Sequence, residues 1–288
     1  VEPVAWVTHE PVEERFDWAG GGTGRLTLPG DGGTHPVLLM VLGADPAGPD
    51  DSRVVRLREG LARVGIGSLV ARSTSLIDGR VTPDEVAQVL GAFRALERDP
   101  RVTASRVGLL GLSTGGALVM VAATDPVVAD RVWCVVSIGA YHDAATLTAQ
   151  IASQHVRTAS GEVPWTPDPT ARRVARLTLL AALAPDAPNG AANPTVVVDG
   201  LMASPGLAEA EAALASLGAT FHARMEAISP RAHLAGLRAP LYLLHDRGDR
   251  FIPATHAEAI TVQHPPRIGY LVDIFAHVEP RLTDMGAL

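Results

Sequence analysis

Apolar residues along this chain recur in two rhythms, and the rhythms alternate. Positions 37–42, "VLLMVL", form a continuous apolar run, as expected of a strand covered on both faces. From about 51 to 64, Val54, Val55, Leu57, Leu61 and Val64 fall at helical spacing. "IGSLVAR" at 66–72 reads as a strand, and so do "RVGLLGL" at 106–112 and "VWCVVSIGA" at 132–140. Thr82, Pro83, Asp84 and Glu85 form a capping signature that predicts a helix to about 97. The residues after 113 read as another helix. Ahead of these lie "ERFDWAG" at 14–20, a glycine-rich turn, and "GRLTLPG" at 24–30, which read as strands. Strands alternating with helices over short connections predict a mostly parallel sheet with helices on both faces.

The alternation breaks between 141 and 237. No convincing long strand occurs there, segments 172–183 and 207–217 read as helices, and prolines at 164, 167, 169, 185, 188, 194 and 205 punctuate the stretch. The expected organisation is an α/β core made of 1–140 and 238–288, with 141–237 inserted as a helical cap or lid. The core pattern resumes at "APLYLLHDRGD" (239–249), continues through a helix near 254–262, and reaches a strand "IGYLVDIF" at 268–275. A short helix start follows near the end of the chain.

Composition narrows the function classes. Of the 288 residues, 47% are hydrophobic and 19% charged, which predicts a sizeable core rather than a disordered chain. The net charge of −7 carries no basic stripe, so nucleic acid is not an expected partner. The single cysteine, Cys134, sits in an apolar run, where a reactive thiolate is not expected. No apolar run is long enough to span a membrane and no signal peptide is evident, so the expected location is cytoplasmic. Oligomeric state is not legible.

The chemistry concentrates at strand ends. Gly111-Leu112-Ser113-Thr114-Gly115 fits G-x-S-x-G between a buried strand and a helix. That setting holds a serine on a tight corner with Oγ projecting above the sheet and free helix N–H groups beside it. A base is needed, and among the histidines weighed His277, just after the last strand, belongs on the same edge as Ser113. His142 also follows a strand and is expected to line the substrate pocket. His9 and His35 precede the core strands, His155, His222 and His233 lie in the insertion, and His256 and His264 flank a helix. Two aspartates after the strand "LYLLH", Asp246 and Asp249, compete to orient the base. The order Ser, acid, His along the chain is the one that such a sheet uses. Reach favours Asp249, beyond Gly248, leaving Asp246 to face solvent or an arginine. Two N–H donors for an oxyanion are expected at Thr114 and at Ala44, with Gly43 giving close backbone approach to the substrate.

With "GLSTGG" at 111–116, "LHDRGDRFIP" at 244–253 and "FAHVEP" at 275–280, the chain resembles the α/β-hydrolase superfamily over nearly its whole length. It is loosely similar to the dienelactone-hydrolase-like and carboxylesterase-like branches. The middle stretch looks like that family's HG-x-x-D-x-x-x-P segment, which places Asp249 as the acid. Asp246 stands where the family has glycine, and "LGAD" at 42–45 replaces its histidine-glycine. The resemblance implies a serine hydrolase acting on a small-molecule carboxylic ester with catalytic Ser113, Asp249 and His277, no cofactor and no metal. Thioester or lactone hydrolysis and acyl transfer would use the same residues. A non-catalytic ligand-binding protein on the same fold is the other class of reading. Serine rather than aspartate at 113 argues against dehalogenase or epoxide hydrolase chemistry.

Overall fold

The strand β3 (His35–Val41) shows why its run is apolar throughout. Side chains alternate across a sheet. Val37, Leu39 and Val41 join one apolar cluster, while Leu38 and Met40 join a second on the opposite face. The computed structural model describes residues 9–44, 48–183, 193–273 and 275–280. In it β1 (Val12–Trp18), β2 (Gly22–Leu28), β3, β4 (Gly67–Arg72), β5 (Val102–Leu112) and β6 (Val132–Ile138) form one sheet with two later strands, β9 (Leu241–Asp246) and β10 (Ile268–Val272). The spatial order is β1-β2-β4-β3-β5-β6-β9-β10. The β1–β2 and β2–β4 pairs are antiparallel, so β2 runs against its neighbours, and the remaining pairs are parallel.

Helices cover both faces. Helix α1 (Ser52–Arg63) is capped by Asp51, whose carboxylate accepts the Arg53 N–H at 2.7 Å, and it drops Val54 onto the smaller cluster. A one-turn helix α2 (Thr74–Ile77) precedes α3 (Asp84–Leu96), and α4 (Thr114–Ala122) follows β5. Val89, Phe93 and Leu96 of α3 and Leu118 and Met120 of α4 fill the larger cluster. The capping box expected at 82–85 does not form. Pro83 occupies the cap position with no side-chain bond, and the Thr82 hydroxyl is buried without a partner. Glu85 instead accepts the Ser73 hydroxyl at 2.7 Å, because that hydroxyl also caps α2 and brings the two short elements together.

Between β6 and β9 the chain is mainly helical. It comprises α5 (Ala144–Ser153), a hairpin of β7 (His155–Thr158) and β8 (Gly161–Pro164), α6 (Pro169–Leu183), α7 (Pro194–Met202), α8 (Leu207–Ala215) and α9 (Ala219–Ala227). Only α6 and α8 were expected from periodicity. The helices pack on one another, α5 against α8 and α6 against α7. Arg172 of α6 donates to the Ile151 and Met202 carbonyls at 2.8 and 3.0 Å, satisfying acceptors at the ends of α5 and α7. Leu179, Leu201, Leu214 and Phe221 belong to the same apolar cluster as the sheet, so this segment shares the core.

The chain returns to the sheet through β9, then α10 (Thr255–Gln263) and β10, and ends in a small hairpin of β11 (Phe275–Ala276) and β12 (Glu279–Pro280). The helix start expected near the end of the sequence lies outside the described residues.

Candidate active site

The turn between β5 and α4 is forced by backbone contact. A Cβ on Gly115 would collide with the carbonyls of Val41 and Leu42, so only glycine lets the helix start against β3. Ser113 absorbs the turn at φ 55° and ψ −128°, a conformation rare for a residue with a side chain and costing on the order of 1–3 kcal/mol. Its N–H donates to the Ile138 carbonyl at 2.7 Å, which ties the corner to the end of β6. The Thr114 N–H opens α4 and has no carbonyl behind it within the helix. Beyond β3, Gly43 approaches so closely that a Cβ there would sit 2.8 Å from the Ser113 Cβ. Ala44 follows, and Gly43, Ala44, Ser113 and Thr114 all line one cavity.

The loop after β9 brings an acid to the same edge. Asp246, the last residue of β9, is fully buried, and its carboxylate accepts the Gly248 N–H at 2.8 Å. Of the two settings expected for it, solvent or an arginine, burial rules out solvent, and its carboxylate shapes the turn. The turn delivers Asp249, whose Oδ1 accepts the Phe251 and Ile252 N–H groups at 2.7 and 3.0 Å. Its Oδ2 lies 2.6 Å from His277 Nδ1. His277 sits in the tight turn between β11 and β12 at φ 65°. Its ring stacks on Phe251, with centroids 4.6 Å apart and planes 15° apart. A carboxylate at Nδ1 fixes the tautomer with the proton on that nitrogen and leaves Nε2 free to accept one. Ser113 and His277 line the same cavity. A serine hydroxyl, a tautomer-fixed imidazole, a buried carboxylate and two main-chain N–H groups can together support nucleophilic attack on a carbonyl and stabilise the resulting oxyanion.

No protein-family profile matches the chain, and no curated protein matches it. Solved structures do. The 2,6-dihydroxy-pseudo-oxynicotine hydrolase is 15% identical with a TM-score of 0.58, over 91% of this chain and 60% of that one. The chain thus spans less than two thirds of that protein's length. The acylaminoacyl peptidase of Pyrococcus horikoshii is 16% identical with a TM-score of 0.54, over 92% of this chain and 37% of that one. The esterase domain of a Rhodothermus marinus protein is 17% identical with a TM-score of 0.51, over 91% of this chain and 87% of that one. The chain has the α/β-hydrolase fold.

Within the α/β-hydrolase fold of this chain, Ser113, Thr114, Gly43, Ala44, Asp249 and His277 gather at one edge of the sheet, and His142 does not join them. The His142 ring turns away from the cavity, and its Nε2 lies 2.6 Å from Gln263 Oε1 on α10. The reason is the segment's fastening: the His142 N–H donates to Nδ1 of the buried His256, and its carbonyl accepts the Arg231 N–H. Sequence reasoning also missed several supports. His245, at the inner end of β9, is buried with Nε2 2.8 Å from the Ile252 carbonyl and 3.5 Å from Asp249 Oδ2. Burial lowers its pKa, so it stands neutral beside the acid. Its place directly before Asp246 was the available signal. Trp165, after the β7–β8 hairpin, donates its indole N–H to the Asp249 carbonyl at 3.2 Å. No local pattern announces that contact. Among the described residues no cluster of three His, Cys, Asp or Glu side chains could hold a metal ion, and no helix is long and apolar enough to cross a membrane.

Proposed function

We propose that the protein is a serine hydrolase that cleaves carboxylic esters through an acyl-enzyme intermediate. The observation that carries the reading is the Ser113 corner at φ 55°, sharing a cavity with a His277 whose Nδ1 is held at 2.6 Å by buried Asp249. In this reading Ser113 Oγ attacks the ester carbonyl while its proton passes to His277 Nε2. Negative charge on the carbonyl oxygen is met by the N–H groups of Thr114 and Ala44. Collapse expels the alcohol, which takes the proton from His277, and leaves Ser113 acylated. Water then gives its proton to His277 and attacks the acyl carbon, and collapse breaks the bond to Ser113 Oγ, which takes the proton back from His277 as the acid leaves. Asp249 stays ionised throughout and stabilises the imidazolium. The helical segment 141–237 forms the lid of the acyl pocket, for Tyr141, Leu147, Ile151, Met225 and Ile228 line the cavity that Ser113 faces.

The test is labelling with a fluorophosphonate and mass spectrometry of the tagged peptide, together with turnover of an ester panel. Ser113 is expected to carry the tag, and Ser113→Ala to keep its fold while losing about 10³-fold or more in turnover. Near-wild-type ester turnover in that variant would overturn the reading.

A further inference from the structure

The cavity in front of Ser113 has a volume of about 1050 Å³, and its wall offers little to a polar substrate. Apart from the Thr114 hydroxyl, which has no partner among the described residues, its buried polar side chains each hold a bond inside the protein. The Tyr141 hydroxyl donates to the Ile228 carbonyl at 2.9 Å, the Thr148 hydroxyl donates to the Ala144 carbonyl at 2.7 Å, and the Thr178 hydroxyl accepts the Val81 N–H at 3.1 Å. Away from Ser113, Thr114 and His277 the interior surface is therefore mainly apolar, with Leu147, Ile151 and Val174 among its walls. Such a wall favours a long apolar acyl chain over a peptide or sugar, whose amides or hydroxyls would go unpaired there.

Among the described residues, and apart from His277, charged side chains reach this cavity only from α1 and its cap. Asp51, Arg53 and Arg56 line it, together with the exposed Leu57. Asp51 and Arg53 neutralise each other through a two-pronged pair at 2.8 and 2.6 Å. Arg56 makes no hydrogen bond or ion pair among the described residues. Arg53, Arg56 and Leu57 stand three and four residues apart, so they share the face of α1 that borders the opening. An exposed guanidinium with no partner among the described residues, lining an apolar chamber in a chain of net charge −7, is a positive charge open to a ligand.

We infer that the substrate is amphipathic: an ester whose apolar acyl chain fills the chamber and whose far end carries an anionic group, a carboxylate being the simplest, read by Arg56. The inference rests on the proposed ester chemistry at Ser113, and it makes Arg56 a specificity-determining residue. Planar two-pronged pairing suits arginine to a carboxylate. At a wet rim such a pair is worth a few-fold in rate constant rather than orders of magnitude.

The test uses two series of alkyl fluorophosphonates, identical except that one ends in methyl and the other in carboxylate. Second-order inactivation rates are measured at low and high salt for wild type, Arg56→Gln and Arg56→Glu. In wild type the carboxylate series is expected to react about threefold to tenfold faster than its methyl partner once the chain is long enough to reach α1. That ratio should fall to about one in Arg56→Gln and below one in Arg56→Glu. It should also shrink as salt screens the contact in wild type, a readout that needs no variant to fold. Equal rates for the two series, or a ratio unmoved by both substitution and salt, with Ser113 still labelled, would overturn the inference and leave the hydrolase reading standing. Failure of every probe to label Ser113 would overturn the hydrolase reading, and this inference with it.

Discussion

Asp249 is gripped by two main-chain N–H groups and by His277, with neutral His245 packed 3.5 Å behind it, so its carboxylate is fixed before any substrate arrives. Asp249→Asn keeps the shape but can present an amide N–H to His277 and disturb its tautomer, and turnover is expected to fall about 10²- to 10⁴-fold. Asp246→Asn is a different experiment. Its carboxylate accepts the Gly248 N–H in the turn that aims Asp249, so the expected loss is mainly in melting temperature, with turnover reduced less than about tenfold. Measuring both quantities on both variants separates the acid from the turn-former. The serine corner was legible at this scale because glycines, strand and helix converge on five residues. The choice between the aspartates rested on reach and resemblance, and the burial of Asp246 was hidden because charged residues at strand ends are more often solvated. His142 misled for a related reason: its place after β6 is right for a pocket residue, but the fastening of 141–144 rotates it toward α10.

At the scale of elements, the β5–α4 corner depends on helix and strand touching backbone to backbone. Gly115→Ala would drive a methyl into the Val41 and Leu42 carbonyls. The expected result is a loss of stability of about 2 kcal/mol or more, or insoluble protein, seen as a lower urea midpoint. Phe251→Ala tests a contact with no sequence signature. It removes the ring stacked on His277 while leaving the Phe251 N–H on Asp249, so it should lower turnover about tenfold by loosening the imidazole. The sheet was readable because buried parallel strands leave continuous apolar runs, as in β3. The segment between β6 and β9 was not. Its short helices α7 and α9 lack a strong apolar stripe, and β8 is exposed along its length, so neither period stands out.

The whole molecule carries an acid liability in its buried histidines. Burial holds His256 down to about 3, and its ring is wedged between the His142 N–H and Gln150 Oε1. The folded protein keeps this group neutral while the unfolded chain protonates it near 6.5. Between those values the unfolded state binds the extra proton, so stability falls as pH drops below about 6.5, by up to about 1.4 kcal/mol per pH unit. His245, shifted in the same direction, adds to the slope. Melting temperature followed from pH 7 to 4.5 should drop steeply in wild type and more gently in His256→Gln, whatever that variant loses at neutral pH. The same histidine belongs to a knot of bonds with a topological consequence. The two chain crossings at 141–144 and 228–231 lie side by side, joined by Tyr141 to Ile228, Ala144 to Ser229 and Arg231 to His142. A surgeon of this chain could cut out everything between the crossings and suture the stumps with two or three residues, since the gap is already one hydrogen bond wide. Yet the excised piece shares its oil with the sheet. The shortened protein would close covalently and still present a greasy wound, binding more of a dye such as ANS and aggregating more readily than the full chain.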